Sequence, residues 1–423
     1  MPKKTIKSIS DESFFVFRTF DNKTVVSGGL TVALPESEQF AALDDDNYIL
    51  TVLAEGGSAY SVGQNLDIEA LSDSGALSVT YGADRQSITI GGLTNVTTVK
   101  LTALVSKNIV SRKIKTASKM RAMKITRTAK QQDVQRFGLL YGGLYGTRIE
   151  DTEISFGLND VYKLHAVYES SDDNPPKIPY IVLSEATFFA PGTVITGGTS
   201  GARAIVVSFI NSTLRLYNVD LNGSAFSPGE TVTGVDADNN VLTATIDDAD
   251  GSVEKGSKVI TNQYELNQAQ NPFFYDVSRL VRKPGTTPPT RQLMAVFDYF
   301  IHEASGDYFS GQSYTGIEFS DIPSPILKGS SQTVRDQIDF RPAVGELATG
   351  QGTVGSPFEV TCATLDFDAR QFSTTGQGAG AAAAATLFDI PKAETEFRCD
   401  FDYYLPRTDK LFLTHDNKLQ LSL

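Results

Sequence analysis

Turn-forming residues interrupt this chain about every ten positions, and short runs rich in Val, Ile, Thr, Phe and Tyr lie between them. That rhythm admits short strands and leaves little room for long helices. In the first hundred residues the β-prone runs are 14–17, 24–34, 48–53, 66–71, 76–81, 87–90 and 96–105. Gly28-Gly29, Gly56-Gly57 and Gly91-Gly92 supply turns or bulges between them, because glycine enters φ > 0 without steric penalty. The pattern predicts an Ig-like β-sandwich over residues 1–106, with one helical turn over 36–43. At 423 residues the chain exceeds one typical domain, and 40% apolar content supplies several cores. The expected fold class is therefore mainly β and multidomain. It comprises the N-terminal sandwich, a mixed strand-rich domain and an inserted small β module.

The charge balance changes abruptly after the sandwich. Lys107, Arg112, Lys113, Lys115, Lys119, Arg121, Lys124, Arg127, Lys130 and Arg136 face one acidic residue, Asp133. The segment lacks a clean amphipathic helix pattern. It reads as a strand pair with solvated basic faces or as a basic connecting arm, opening a central domain whose first part is 107–185. No aromatic residue is interleaved between Lys107 and Arg136, so base stacking is unsupported and nucleic acid is disfavoured. An interdomain or intermolecular electrostatic contact fits better, since the remaining chain is strongly acidic. The Gly-rich run 137–146 lacks the pattern of a phosphate cradle and reads as bends in packed strands.

An internal repeat follows. Residues 189–197, FAPGTVITG, match residues 226–234, FSPGETVTG. Each copy reads Phe, Pro-Gly turn, strand, Thr-Gly, and a further strand follows each copy. Flanking segments 161–168 and 258–264 look like one host domain. The module, 186–250, is therefore expected to be inserted in a loop of that domain. Residues 251–423 complete the central domain and a C-terminal strand-rich region. An apolar strand is expected over 294–301 and a short helical turn within 334–340. Residues 374–386 are low complexity and read as an extended loop. Strand-like residues 419–423 reach the last position, which suggests part of a longer polypeptide.

The chemistry-bearing residues form no recognisable constellation. His165, His302 and His415 sit in or beside strand-like segments without metal-ligand spacing, and read as packed or surface histidines. Cys362 and Cys399 match no zinc or protease pattern and read as buried thiols. Asp400 and Asp402 share one face of a strand; they suit substrate or cation binding, or pairing with Arg398 and Arg407. Asp236 opens a calcium-like loop, but Val241 and Asp247 stand where an EF-hand needs Gly and Glu. Asp44–Asp46 and Asp248–Asp250 are turn-like acidic loops. No catalytic, cofactor-binding or metal-binding residues are assigned, and no cofactor is expected.

Composition excludes further classes. Two Cys rule out a disulfide-dense scaffold. No apolar run approaches the roughly 20 residues of a membrane-spanning helix, and no membrane partner is expected. The opening residues lack the apolar stretch of a secretory signal. A formal net charge of −13 argues against a general polyanion binder.

Four strings are specific enough to compare: 274–285, FYDVSRLVRKPG; 296–299, VFDY; 336–342, DQIDFRP; and 400–411, DFDYYLPRTDKL. In this order, together with 160–170, DVYKLHAVYES, they resemble large virion structural proteins of contractile-tailed phages, especially those infecting marine cyanobacteria. The repeat followed by Thr199-Ser200-Gly201-Ala202 is similar to β modules of such tail proteins. The resemblance covers roughly residues 150–423. It implies a non-enzymatic structural protein of the virion, in or near the tail baseplate, made in the host cytoplasm. It would connect the baseplate to tail fibres or neighbouring subunits. The implied partners are other baseplate and tail-fibre proteins, with multiple copies symmetric about the tail axis. No catalytic residues come with it. Family members often continue beyond the last string, in keeping with a longer polypeptide.

Charged residues embedded in aromatic strands suggest an ion-pair lattice of Arg279, Arg282, Asp298, Asp339, Arg341, Asp400, Asp402 and Arg407. The alternative is a receptor- or glycan-binding surface β protein of adhesin or tail-fibre type. A host glycan would then stack on exposed Tyr308, Phe309 and Tyr314, although the chain has no Trp. A third reading is a depolymerase using Asp400 and Asp402.

Overall fold

The computed structural model describes residues 5–9, 14–34, 38–44, 46–57, 59–107, 110–126, 146–217, 224–303, 306–327, 330–331, 334–360, 372–373, 397–404, 410–413 and 419–422. The chain is mainly β, with 50% strand and 7% helix, in several sheets.

Strand Val96–Lys107 is the hub of the N-terminal unit. Phe14–Thr24 and Tyr48–Glu55 flank it antiparallel, and Glu38–Phe40 pairs with its end. Alternation sends Val99, Leu101, Ala103 and Val105 to one face. There they meet Leu30, Val32, Ile88 and Ile90 of a second sheet, Gly29–Ala33, Ser87–Gly91 and Ser78–Tyr81. The result is two sheets over one core. Each fully buried Val, Leu or Ile there contributes roughly 1.5–3 kcal/mol.

Two local expectations fail here. The helical turn expected over 36–43 is strand over Glu38–Phe40, because Phe40 enters the sandwich core and Glu38 is buried against Arg18. Segment 66–71, expected as strand, instead starts the helix Ile68–Asp73. Asp67 caps it by accepting from Ala70 N at 2.9 Å, while Ile68 fills the core.

The central sheet has the order Lys258–Val259, Val161–Glu169, Leu293–His302, Lys115–Ile125, Tyr314–Thr315. Its middle strand is buried on both faces, which is why 293–300 reads as an almost unbroken apolar run. Leu293, Ala295, Phe297 and Tyr299 point to a core shared with a smaller sheet, Glu153–Asn159, Val277–Arg282 and Tyr264–Asn267. Met294 and Val296 point the other way, to Met120, Ala122, Ala166, Tyr168, Val207 and Tyr217. The basic segment is thus neither a solvated strand pair nor a connecting arm over its described part. Lys115–Ile125 is an interior strand of this sheet, and Lys113 and Lys115 are buried. The run at 137–145 and the low-complexity residues 374–386 lie outside the described residues.

The repeat builds a seven-stranded sheet that runs from Tyr180 to Glu254. Its two copies pair with each other antiparallel, with Thr196 opposite Thr233. These residues are counterparts in the repeat, so the copies meet about a local two-fold. Phe189 and Phe226, also counterparts, share the module core. Gly192 and Gly229, in the two Pro-Gly turns, have φ of 94° and 77°, a region that favours glycine. Val207 and Tyr217 carry the module's other face onto the central sheet. Near the end of the chain, Phe401–Tyr404 pairs with Thr5–Ile9 and Phe397–Arg398 with Phe14–Thr24. Val334–Asp336 forms the short turn expected within 334–340.

Candidate functional site

A cleft of about 850 Å3 opens where the repeat module meets the central sheet. Tyr217 and Ile205 line it from the module, His165, Tyr162 and Asp298 from the sheet, and residues 316–324 from a loop. A β-bulge between Ser118 and Arg121 puts Met120 at φ 54° and aims its N–H at Asp298 Oδ1, 2.7 Å away. His165 Nε2 lies 2.8 Å from the same oxygen, but off-line for a full hydrogen bond, so this buried nitrogen keeps unused capacity. On the other ring edge, Tyr217 Oη is 2.9 Å from His165 Nδ1. Asp298, His165 and Tyr217 therefore form a chain from the sheet to the module.

The chain does not activate the phenol. Burial and the Asp298 charge push the Tyr217 pKa up to about 12, so its proton stays on oxygen. Tyr162 lies stacked on Phe300, and its buried hydroxyl has no hydrogen-bond partner among the described residues. Burial, with the charges of Asp298 and Asp160, raises its pKa too. The cleft thus presents neutral hydroxyls and ring edges, with Lys119, Lys163, Glu318 and Asp321 at its polar lining.

A second cluster is closed to solvent. Asp160 Oδ2 accepts from Lys115 Nζ at 2.7 Å and from His302 Nε2 at 2.8 Å. Asp160 Oδ1 accepts from Gln270 Nε2 at 2.9 Å. Lys115 Nζ also donates to Tyr275 Oη at 2.9 Å, and Tyr275 donates to Asp339. Arg341 completes the network: Nε and Nη2 donate to Asp339 at 2.9 and 2.7 Å, and Nη2 to Tyr275 Oη and Gln270 Oε1. Tyr275 and Phe309 place their rings 4.1 and 4.4 Å from Lys115 Nζ.

Electrostatics follows from these contacts. Burial pushes the Asp160 carboxyl up, but Lys115 and His302 outweigh it and hold it well below the carboxylate range. Asp339 is likewise raised by burial and pulled down to about 2, chiefly by Arg341. Burial and the Lys115 charge lower His302 to about 4, so its neutral ring donates through Nε2. Burial lowers Lys115, against the pull of Asp160 and Asp339.

The residues singled out from sequence are dispersed. Of the expected lattice, Asp339 and Arg341 pair within the closed cluster. Asp298 belongs to the cleft, Arg279 meets Glu153 at 3.2 Å, and Arg282 donates to the Thr286 and Glu150 carbonyls. Asp400 and Asp402 are exposed, and Arg407 lies outside the described residues; among the others, the Asp339–Arg341 pair, Asp298, Arg279 and Arg282 fall in separate places rather than in one lattice. Tyr308 and Phe309, expected as exposed sugar platforms, are 3% exposed: Tyr308 Oη accepts from Ile9 N, and Phe309 packs on Lys115. Cys399 is half-buried with a free thiol, while Cys362 and His415 lie outside the described residues. Asp236 accepts from Asp238 N and Asn240 N, the bonds of a turn. No metal-ligand cluster occurs among the described residues.

Lys115, Asp160, Gln270 and Tyr275 were not singled out as a site. Their only sequence signal is a lysine in an alternating strand, at a position that turns inward. In comparisons with known proteins, no family model, curated protein or solved structure matches the chain.

Proposed function

We propose that this chain is a non-enzymatic structural subunit of a contractile phage tail, in or near the baseplate, linking it to fibres or neighbouring subunits. The carrying observation is the shared middle strand: Phe297 serves one core and Val296 the next, so the repeat module is fastened to the central sheet by packing. The closed cluster around Lys115 ties strands of the same sheet from the inside. Such a body transmits load between partners and gains affinity from repeated contacts around a symmetric assembly. The resemblance of residues 150–423 to tail proteins supports the same reading. Its test is mass spectrometry of purified virions, with particle imaging to place the chain. Multiple copies at the tail are expected. A chain that is absent from virions and monomeric when purified overturns the reading.

The cleft favours a second reading, a receptor- or glycan-binding role. A lining of neutral Tyr162 and Tyr217 with the His165 ring suits a polyhydroxylated ligand better than an anion. A glycan array on the purified chain checks it: hits lost in Tyr162→Phe support it, and a blank array removes it.

A further inference from the structure

We propose that Lys115 and Asp160 become joined by an intramolecular amide bond between Nζ and Cγ, formed by the folded protein itself. The inference does not depend on the virion reading. It rests on the arrangement around Asp160, where each atom of a condensation has a partner in place.

Lys115 is 0% exposed and Asp160 is 2% exposed. Their contacting atoms are 2.7 Å apart, which holds the amine at the carboxyl before any chemistry begins. Rings of Tyr275 and Phe309 surround Nζ and exclude water, which would otherwise compete for the carboxyl carbon. The two oxygens of Asp160 have different partners. Oδ1 receives the Gln270 amide at 2.9 Å, and the opposite end of that amide is fixed by Arg341. Oδ2 receives His302 Nε2 at 2.8 Å. One oxygen is thus placed to carry the transient negative charge, the other to leave.

The step balances without an added reagent. A proton passes from the ammonium to Oδ2 along the hydrogen bond, giving a neutral amine and a neutral carboxyl. Burial disfavours both the ammonium and the carboxylate and so favours that transfer, against the attraction between the two charges. The Nζ lone pair then attacks Cγ, forming the C–N bond, and the electron pair moves to Oδ1 under the Gln270 donor. The nitrogen, which now carries one proton too many, passes it to the departing Oδ2 hydroxyl, while the neutral His302 ring holds that oxygen through its Nε2 hydrogen bond. The C–Oδ2 bond breaks and one water leaves. An ammonium and a carboxylate become an amide and water, with nothing oxidised or reduced.

The bond would tie the first residue of strand Lys115–Ile125 to the corner between Glu153–Asn159 and Val161–Glu169, closing a span of 45 residues. His302, opposite Lys115 in register, sits at the end of the middle strand. The cross-link would thus lock three neighbouring segments that the two cores already share.

The test is the intact mass of the full purified chain under denaturing conditions. The expected mass is lower than the sequence mass by one water, and trypsin fails to cut after Lys115. Digestion then yields a branched peptide joining Lys115 to Asp160. Lys115→Met is expected to keep its full sequence mass. Folded wild-type protein at full sequence mass, with trypsin cutting after Lys115, overturns the proposal. So does a loss of water that maps to any other residues. Because the decisive reading is on the wild type, it stands whether or not the variant folds.

Discussion

Leu293 and Met294 are neighbours in one strand and belong to different hydrophobic cores. Leu293 packs with Phe156, Leu158 and Phe297 beneath the smaller sheet, and Met294 with Val207 and Tyr217 of the repeat module. A single strand therefore couples two bodies. Phe297→Ala is expected to cost about 3–5 kcal/mol and Met294→Ala about 2–5 kcal/mol in urea unfolding. Hydrogen exchange separates the two: Phe297→Ala speeds exchange in Tyr264–Asn267, and Met294→Ala in Thr213–Tyr217. Equal patterns in both variants would contradict the two-core arrangement.

Arg341 and Asp402 were grouped by sequence and are separated by burial. Removing Arg341 takes the main cation from buried Asp339 and leaves Tyr275 and the more distant Lys115 charge, so Arg341→Ala is expected to cost about 3–5 kcal/mol. Asp402 is exposed, and Asp402→Ala is expected to change stability by less than about 0.5 kcal/mol. Thermal denaturation of the two variants side by side checks the contrast.

His302 makes the fold acid-sensitive. Its folded value, about 4, lies below its ordinary 6.5. The unfolded chain therefore binds more protons between these values, and stability falls as pH drops through that window. The full contribution is present above pH 6.5, and a loss on the order of 3 kcal/mol is expected by pH 4. Burial is the main cause of this value; the Lys115 and Lys113 charges lower it further and Asp160 raises it. Stability measured across pH 4 to 7 is expected to be flatter in His302→Gln than in wild type.

Glu346 has the opposite sign. Burial raises its carboxyl to about 7, and its Oε1 has no hydrogen-bond partner among the described residues. Its folded form holds a proton that the unfolded form releases, so stability falls as pH rises from 4.5 to 7. Glu346→Gln is expected to raise the melting temperature at pH 8 and leave it nearly unchanged at pH 4.

Glu230 fastens the repeat. Its carboxylate accepts from Ser200 N, Ser227 N, Thr199 N and Ser200 Oγ, joining the turns of the two copies. Burial pushes its pKa up and these donors outweigh it, leaving the carboxyl below its ordinary 4.5. Glu230→Ala removes the charged acceptor of four part-buried hydrogen bonds and is expected to cost about 1–3 kcal/mol at neutral pH. The difference from wild type shrinks as pH falls through the depressed value, which an acid titration of both proteins will show.

The pattern of strands and turns was legible because it is local. Segment 161–168 falls within Val161–Glu169, and segment 294–301 within Leu293–His302. The repeat was legible as similarity at a fixed spacing, whereas the register that sets Thr196 opposite Thr233 is a feature of the folded sheet. Helix Ile68–Asp73 was missed because β-prone Ile68 and Leu71 outweighed the Asp67 cap in reading the segment. Glu38–Phe40 was missed because its burial depends on Val96–Lys107, more than fifty residues onward.

Neither candidate site could be read in this way. Asp298, His165 and Tyr217 come from three strands in two sheets, and Lys115 meets Tyr275 across 160 residues. Sequence by itself determined the elements, the repeat and the acidic balance, since turn chemistry and side-chain alternation act over a few residues. Only the tertiary structure decided which cation is buried, which carboxylate receives it and where the module docks. Those outcomes depend on which strands become neighbours, and desolvation acts on a side chain only once its neighbours have closed around it.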